Sequence, residues 1–169
     1  MIQANGDVYA FGGINSNKRL AKSERFSLER NSWNQLSPMC IPKHAFSPCL
    51  YASEIYLIEL REFKGAEKFN IRSESYITLS MALPTSITSS AYNVLVGKEI
   101  LFLNRDKQVL KWNIETNAIL NMAFSGVSIP GQLASNTPAL CLKNYACFVQ
   151  QDTGKVGTFN LVSLALAYL

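Results

Sequence analysis

Residues 26–33 read FSLERNSW, and the pattern of this octapeptide recurs three more times along the chain. The other copies are FNIRSESY at 69–76, WNIETNAI at 112–119 and FNLVSLAL at 159–166. Each copy begins with an aromatic, a small polar and an aliphatic residue, and each has a large apolar residue at its eighth position. The copies start 43, 43 and 47 residues apart. A period of this size is typical of solenoids, propellers and other repeat arrays.

The segments between the copies have the pattern of β-strands. Apolar runs of four residues occupy 55–58, 100–103 and 146–149, and such short runs favour buried strands over helices. A preceding strand (a) leads by a hairpin into this buried strand (b), and the octapeptide contributes a third strand (c) and the start of a fourth (d). Four-stranded antiparallel units of this length are the blades of β-propellers. We therefore expect an all-β propeller region over 1–169, with units at about 6–40, 41–83, 84–128 and 129–169.

The first unit resembles a kelch repeat. It contains DVYAFGG at 7–13, SERFS at 23–27 and NSWNQLSPM at 31–39. These segments are similar to the family's strand that ends in two glycines, its aromatic-polar pair and its Trp followed by Leu-x-x-Met. Phe26 replaces the usual Tyr, and Lys43 stands where the family commonly has Arg. The resemblance implies a kelch-type propeller whose later repeats have diverged, because other pairs replace the two glycines there: Glu59-Leu60, Asn104-Arg105 and Gln150-Gln151.

The strand pattern is incomplete at both ends of the sequence. The first unit begins with its strand b at Asp7, and the fourth octapeptide is followed only by the start of a strand d. About three and a half blades are thus expected, close to the lower limit for closing a propeller. Three arrangements stay open: a small closed ring, a fragment of a larger propeller, or an arc that pairs with another chain.

Aromatic residues that recur in register are expected to fill the blade cores rather than to form a ligand-stacking site. They are Tyr9, Phe26, Trp33, Tyr56, Phe69, Tyr76, Phe102, Trp112 and Phe159. Gly12 and Gly13 are expected to allow a backbone geometry that other residues resist. No helical pattern follows them, so they do not indicate a phosphate-binding loop.

Composition favours a folded protein without membrane or nucleic-acid contacts. The chain of 169 residues is 48% hydrophobic and 17% charged, which is sufficient for a core. Its net charge of +4 is too small to indicate nucleic-acid binding. No apolar run approaches the ~20 residues of a membrane helix, and residues 1–7 lack the pattern of a signal peptide. We expect a cytoplasmic protein, with the cytoskeleton as an alternative location.

The sequence offers little for catalysis, metals or cofactors. His44 is the single histidine, and the carboxylates do not recur at a spacing suited to acid–base chemistry. The four cysteines form no C-x-x-C pair, and Cys40, His44 and Cys49 lack the paired spacing of zinc motifs. We therefore expect a protein that is not an enzyme and holds no cofactor and no metal. The alternative is a propeller enzyme or carbohydrate-binding module, which would need acidic or histidine clusters at the ring centre.

The loops carry the remaining functional signal. The b–c and d–a loops of a propeller emerge on one face, and here they contain nine basic and three acidic residues, a net charge of +6. Such a face favours an acidic peptide or protein segment through charge-assisted hydrogen bonds. The candidate partner-binding residues are Lys18, Arg19, Lys43, His44, Arg61, Lys64, Arg105 and Lys107.

The kelch resemblance implies a protein–protein interaction module that acts as an adaptor or scaffold. Kelch propellers serve as substrate-recruiting domains of ubiquitin ligases and as actin-associated scaffolds, and nothing in the residues chooses between these roles. A structural component of a cytoskeletal assembly is a third option.

Overall fold

The structure is a computed structural model that describes most of the chain, and its regular structure there is entirely β-strand. The described residues are 1–44, 46, 48–59, 66–80, 92–103, 108–123, 125–126, 140–142, 145–149, 156–161 and 165–168. The chain divides into two compact units. The first contains Met1–Glu59 and Phe63–Met81, and the second contains Leu60–Glu62 and Ala82–Leu169.

The first unit contains two antiparallel sheets of four strands. The chain runs through β1 (Ile2–Ala4) and β2 (Asp7–Phe11), a small hairpin of β3 (Ile14–Asn15) and β4 (Lys18–Arg19), and then β5 (Ser23–Ser27) and β6 (Ser32–Gln35). The first sheet has the order β1-β2-β5-β6, and the hairpin lies between its second and third strands. The second sheet pairs in chain order and consists of β7 (Cys49–Tyr51), β8 (Glu54–Ile58), β9 (Ala66–Asn70) and β10 (Ser75–Leu79).

The second unit repeats this arrangement. The third sheet consists of β11 (Tyr92–Val96), β12 (Glu99–Leu103), β13 (Gln108–Asn113) and β14 (Ile119–Ala123), again paired in chain order. The fourth sheet follows β15 (Ser125–Gly126) and consists of β16 (Leu140–Leu142), β17 (Tyr145–Val149), β18 (Val156–Asn160) and β19 (Ala165–Tyr168). β15 adds to the outer edge of β19 in parallel. The expected all-β class is confirmed, and these four-stranded antiparallel sheets are of the kind that forms propeller blades.

Two strands that we expected to be missing are present. β1 pairs with β2 through a tight turn at Asn5-Gly6, whose φ angles of 51° and 83° lie in the left-handed region. Asn-Gly favours such turns, but a strand of three residues is too short to show a periodic pattern in the sequence. At the other end, β19 pairs with β18 over Gly157–Asn160. The described chain therefore has four sheets with strands a to d, instead of three and a half.

In the first three sheets, the recurring octapeptide ends the third strand and forms the turn into the fourth strand. Its polar second residue caps that turn: Oδ1 of Asn70 and of Asn113 accepts hydrogen bonds from the amides two and three residues later, at 3.0–3.1 Å. The sixth residue adopts a positive φ in three copies, at Asn31 (49°), Glu74 (51°) and Asn117 (57°). The pattern thus combines an aromatic side chain, which is buried in the last three copies, with a tight turn in the first three.

A diagonal ion pair recurs in the first three sheets. It joins an acidic residue at the start of the second strand to a basic residue on the third strand. The pairs are Asp7–Arg25 at 3.7 Å, Glu54–Lys68 at 2.8 Å and Glu99–Lys111 at 2.7 Å. All six side chains are partly exposed, so each pair contributes at most about 1 kcal/mol to stability. Their repetition helps to fix the strand register, because a slip by one residue would separate the charges.

The core of the first unit lies between its two sheets. Phe69 on β9 is completely buried, and its ring packs against Tyr9 at 6.0 Å and Phe11 at 5.6 Å between centroids. Ile55 and Leu57 on β8 belong to the same cluster. Aromatic side chains contribute most to this kind of core because each buries a large apolar area.

Most of the aromatic residues expected in blade cores are placed there. Those that are buried are Tyr9, Tyr56, Phe69, Phe102, Trp112 and Phe159, whereas Phe26 and Tyr76 are half-buried. The expectation is wrong for Trp33, which remains 51% exposed. Trp33 lies on the edge strand β6, and its indole ring packs on Phe26 at 5.3 Å.

Candidate interaction surface

The loop between β2 and β5 is held at its base by the two glycines of the first unit. The amide of Gly13 donates to the carbonyl of Lys43 at 2.9 Å, and the amide of Gly12 donates to the carbonyl of Lys22 at 2.8 Å. Gly12 has a φ of 61°, and a Cβ atom there would lie 2.3 Å from the Lys43 carbonyl oxygen. A side chain at position 12 would force the backbone to shift, because the Lys43 carbonyl occupies the space that a Cβ would need.

The β3–β4 hairpin projects from this base. Asn15 pairs with Lys18, and the two residues between them, Ser16 and Asn17, adopt φ angles of 45° and 66°. Two successive residues with positive φ form the type of turn that matches the twist of a hairpin. The side chain of Ile14 is 55% exposed, and Lys18 is also exposed. The hairpin therefore presents an apolar group and a cation together at the surface.

Arg19, at the end of β4, anchors the hairpin to the second sheet. Its guanidinium nitrogen lies 3.0 Å from both carboxylate oxygens of Glu59, the residue directly after β8. Nδ1 of His44 lies 3.4 Å from Glu59 Oε1. Burial raises the pKa of the Glu59 carboxyl, and the nearby charges of Arg19 and His44 oppose this effect. Glu59 is 1% exposed, so the ion pair with Arg19 is closed to solvent on its acidic side.

Lys43 and Glu67 form a second, fully buried ion pair beside the loop. The Lys43 ammonium lies 3.4 Å from Glu67 Oε1 and donates to the carbonyl of Ile41 at 3.3 Å. The same carboxylate oxygen accepts a hydrogen bond from the Ile41 amide. Burial lowers the pKa of Lys43, and the negative charge of Glu67 opposes this effect. Glu67 on β9 thus holds the segment that links the first sheet to the second.

The structure places the predicted partner-binding residues in different environments. Lys18 is exposed and makes no ion pair within the described part of the chain, whereas Arg19 and His44 lie beside Glu59. Lys43 is 1% exposed, and its ammonium is therefore not available at the surface. The other four candidates lie outside the described residues: Arg61, Lys64, Arg105 and Lys107.

Acidic residues that sequence reasoning did not assign to these loops offset much of their positive charge. Lys22 pairs with Glu24 at 2.7 Å, Arg19 pairs with Glu59 and Lys43 pairs with Glu67. Glu59 could have been assigned to the loop from the sequence, because it directly follows the apolar run at 55–58. Glu67 lies two residues before the second octapeptide, where a strand pattern alone does not reveal which sheet its side chain faces.

The described residues contain no other candidate centre. They hold no group of three or more His, Cys, Asp or Glu side chains that could bind a metal ion. Cys40 is an exposed thiol and Cys147 a half-buried one. No helix that could cross a bilayer occurs in this part of the chain.

Comparison with known families identifies the first sheet. The family model described as Kelch motif matches residues 2–39, the segment from β1 to just beyond β6. No curated protein matches the chain. The resemblance that we drew from residues 7–13, 23–27 and 31–39 is thereby confirmed.

Proposed function

We propose that this kelch-repeat chain is a non-catalytic protein–protein interaction module, an adaptor or scaffold that binds its partner through the b–c and d–a loops. The β3–β4 hairpin carries the proposal. It is structured by its own turn, anchored by Arg19 and Glu59, and presents Ile14 and Lys18 to solvent. Kelch repeats generally mediate protein–protein interaction, and the matched segment contains this hairpin.

The partner that this loop favours is an acidic segment with an apolar residue close to its acidic group. Lys18 supplies a cation for charge-assisted hydrogen bonds, and Ile14 supplies the apolar contact. The loop is ordered before binding, so little conformational entropy is lost on association. Arg61, Lys64, Arg105 and Lys107 occupy the corresponding segments of the later repeats in the sequence, and the proposal includes them as further cations for an acidic partner. Arg19, His44 and Lys43 support the loop from below.

Substrate recruitment to a ubiquitin ligase and scaffolding of cytoskeletal components are the two settings that the kelch motif suggests. Both place the protein in the cytoplasm, and both use a protein partner rather than nucleic acid or a membrane. The two roles differ in the proteins that would be captured together with the chain, namely ligase subunits or cytoskeletal proteins.

Partner capture tests the proposal. The immobilised 169-residue chain and its variants Lys18→Glu and Ile14→Asp are exposed to a cytoplasmic extract, and bound proteins are identified by mass spectrometry. Lys98→Glu is the matched control, because Lys98 is an exposed lysine, 53% accessible, on a turn between strands a and b. We expect both hairpin variants to lose the same proteins that the control retains, and we expect added salt to release them. Equal capture by all four chains would contradict the proposal.

A further inference from the structure

His44, the single histidine of the chain, faces a buried carboxylate at the base of the β3–β4 hairpin. Its Nδ1 lies 3.4 Å from Glu59 Oε1. Both atoms are shielded from solvent, and neither has a hydrogen bond of regular geometry within the described part of the chain. The contact therefore joins two buried polar atoms that depend on each other for a partner.

The chemistry of this contact determines which ring nitrogen carries the proton. Two hydrogen-bond acceptors cannot stably face each other in a buried contact, so one proton must lie between Nδ1 and Oε1. The Arg19 guanidinium lies 3.0 Å from both carboxylate oxygens and favours the ionised form of Glu59. The proton therefore belongs to Nδ1 of the imidazole. A carboxylate often fixes the tautomer and the orientation of a histidine ring in this way.

The opposite edge of the imidazole carries the other ring nitrogen, Nε2. The side chain of His44 is 24% exposed although its Nδ1 is closed to solvent, so the accessible part lies away from Glu59. Nε2 has no hydrogen-bond partner among the residues that the structure describes. With the proton on Nδ1, it is an acceptor. The ring thus supports the hairpin through one edge and offers an acceptor on the other.

This acceptor differs in kind from the basic side chains near it. Lys18 and Arg19 are adjacent in β4 and carry donors only, and Arg19 contacts the same carboxylate as His44. A carboxylate can bind Lys18, but it has no proton to donate to Nε2. A cationic donor would be repelled by the lysine and the arginine. An uncharged hydroxyl group is the donor that satisfies Nε2 without this repulsion.

We propose, on the basis of the function proposed above, that His44 is a specificity-determining residue which selects an acidic segment that also carries a hydroxyl group. A carboxylate of the partner binds Lys18, and a serine or threonine hydroxyl close to that carboxylate donates a hydrogen bond to Nε2 of His44. Glu59 is a positioning residue, because it holds the imidazole in the tautomer that leaves Nε2 unprotonated.

Nitrogen NMR tests the tautomer without a partner. Because His44 is the only histidine, a chain labelled with nitrogen-15 histidine gives signals from one ring. At mildly alkaline pH we expect the proton on Nδ1 and the chemical shift of an unprotonated nitrogen for Nε2. Glu59→Leu should let the proton redistribute to Nε2. A proton on Nε2 in the original chain, or a ring protonated on both nitrogens, would overturn the proposal.

Paired acidic peptides test the recognition of a hydroxyl group. In a set of fluorescent peptides of leucine and glutamate, one residue at each successive position is either threonine or valine, which have similar shapes and differ in the hydroxyl. We expect the best threonine peptide to bind about two- to tenfold more tightly than its valine counterpart. His44→Asn keeps a donor towards Glu59 and should abolish this preference. His44→Gln places an amide oxygen near the position of Nε2 and should retain part of it.

Lys18→Glu separates this inference from the proposed function. It should weaken the binding of both peptides, whereas the exposed control variant Lys98→Glu should bind them as the original chain does. Equal binding of the threonine and valine peptides that still depends on Lys18 would overturn the role of His44 alone. Failure of the original chain to bind any of these peptides would contradict the proposed acidic partner and the role of His44 with it.

Discussion

The Tyr76 hydroxyl donates a 2.6 Å hydrogen bond to Ser23 Oγ and so connects two residues that are 53 positions apart in sequence. Ser23 is 1% exposed, so it has little access to water as an alternative partner. A second polar contact runs parallel to it, from Arg25 to Glu74 at 2.8 Å. The interface between the first two sheets is therefore fixed by directional contacts as well as by its aromatic core.

Removal of the Tyr76 hydroxyl should destabilise the first unit. Tyr76→Phe loses the hydrogen bond and leaves Ser23 buried without it, which costs about 1–3 kcal/mol. Tyr145→Phe is the control. Tyr145 is 45% exposed, so the free energy of unfolding of this variant should stay within about 0.5 kcal/mol of that of the original chain. Urea denaturation followed by circular dichroism measures both. Equal stability of the two variants would show that the hydrogen bond contributes nothing.

Because of the same tyrosine, Tyr76, we expect the first unit to lose stability at alkaline pH. Burial raises the pKa of Tyr76 from its usual 10.0 to about 12. The folded state therefore holds this proton more tightly than the unfolded state does. The stability that the protonated Tyr76 hydroxyl contributes to the folded state is present below pH 10 and is lost as the pH rises towards 12. Denaturation midpoints at pH 8, 10 and 11 should fall more steeply for the original chain than for Tyr76→Phe, and parallel curves would exclude this assignment.

The buried pair of Lys43 and Glu67 should behave as a coupled unit. Lys43→Met leaves the Glu67 carboxylate uncompensated and should cost about 3–5 kcal/mol, whereas the double variant Lys43→Met with Glu67→Gln should recover most of that loss. Lys111→Met breaks a partly exposed pair with Glu99 and should cost at most about 1 kcal/mol. A double-mutant cycle by urea denaturation gives the coupling energy. Additive effects would mean that the two charges do not interact.

Gly12 should be far less tolerant of a side chain than Gly97, although both have a positive φ. Gly97→Ala meets no atom within 4 Å and introduces only the strain of a φ of 59°, about 1–2 kcal/mol. Gly12→Ala adds a Cβ that would lie 2.3 Å from the Lys43 carbonyl oxygen, so the backbone must move, at a further cost of about 1–3 kcal/mol. Thermal unfolding compares the two variants, and similar transitions would refute the steric explanation.

Asn117 allows a test of the recurring turn. Its Oδ1 accepts a hydrogen bond from the Trp112 indole at 2.9 Å, and its φ of 57° suits asparagine or glycine. Asn117→Ala loses the hydrogen bond and strains the backbone, whereas Asn117→Gly loses the hydrogen bond alone. We expect the alanine variant to be the less stable by about 1 kcal/mol, measured by thermal unfolding. The opposite order would show that chain entropy outweighs backbone strain at this turn.

The strands were predictable where the pattern is local. The octapeptide predicts a turn, and the structure has it because Asn70 and Asn113 accept hydrogen bonds from backbone amides a few residues later. The exposure of Trp33 was not predictable from the same pattern, since register alone does not tell whether a neighbouring sheet covers an edge strand.

Contacts between sheets limited the prediction of the site. Lys43 and Lys18 are both lysines in loops, and their difference in burial depends on Glu67, which belongs to another sheet. Pairing across 24 residues cannot be read from spacing. Lys18 was predictable as an exposed residue because it follows Ser16 and Asn17, which favour a tight turn.

The attachment of Ile41 to Glu67 has a consequence for synthesis on the ribosome. The first sheet and its linker emerge well before Glu67, Glu74 and Tyr76, the residues that bind Ile41, Arg25 and Ser23. Until Glu67 and Phe69 have left the exit tunnel, Lys43 lacks its counterion, and Tyr9 and Phe11 lack the ring that packs on them. The nascent first sheet consequently exposes apolar surface that is prone to aggregate until the second sheet has emerged and packed against it.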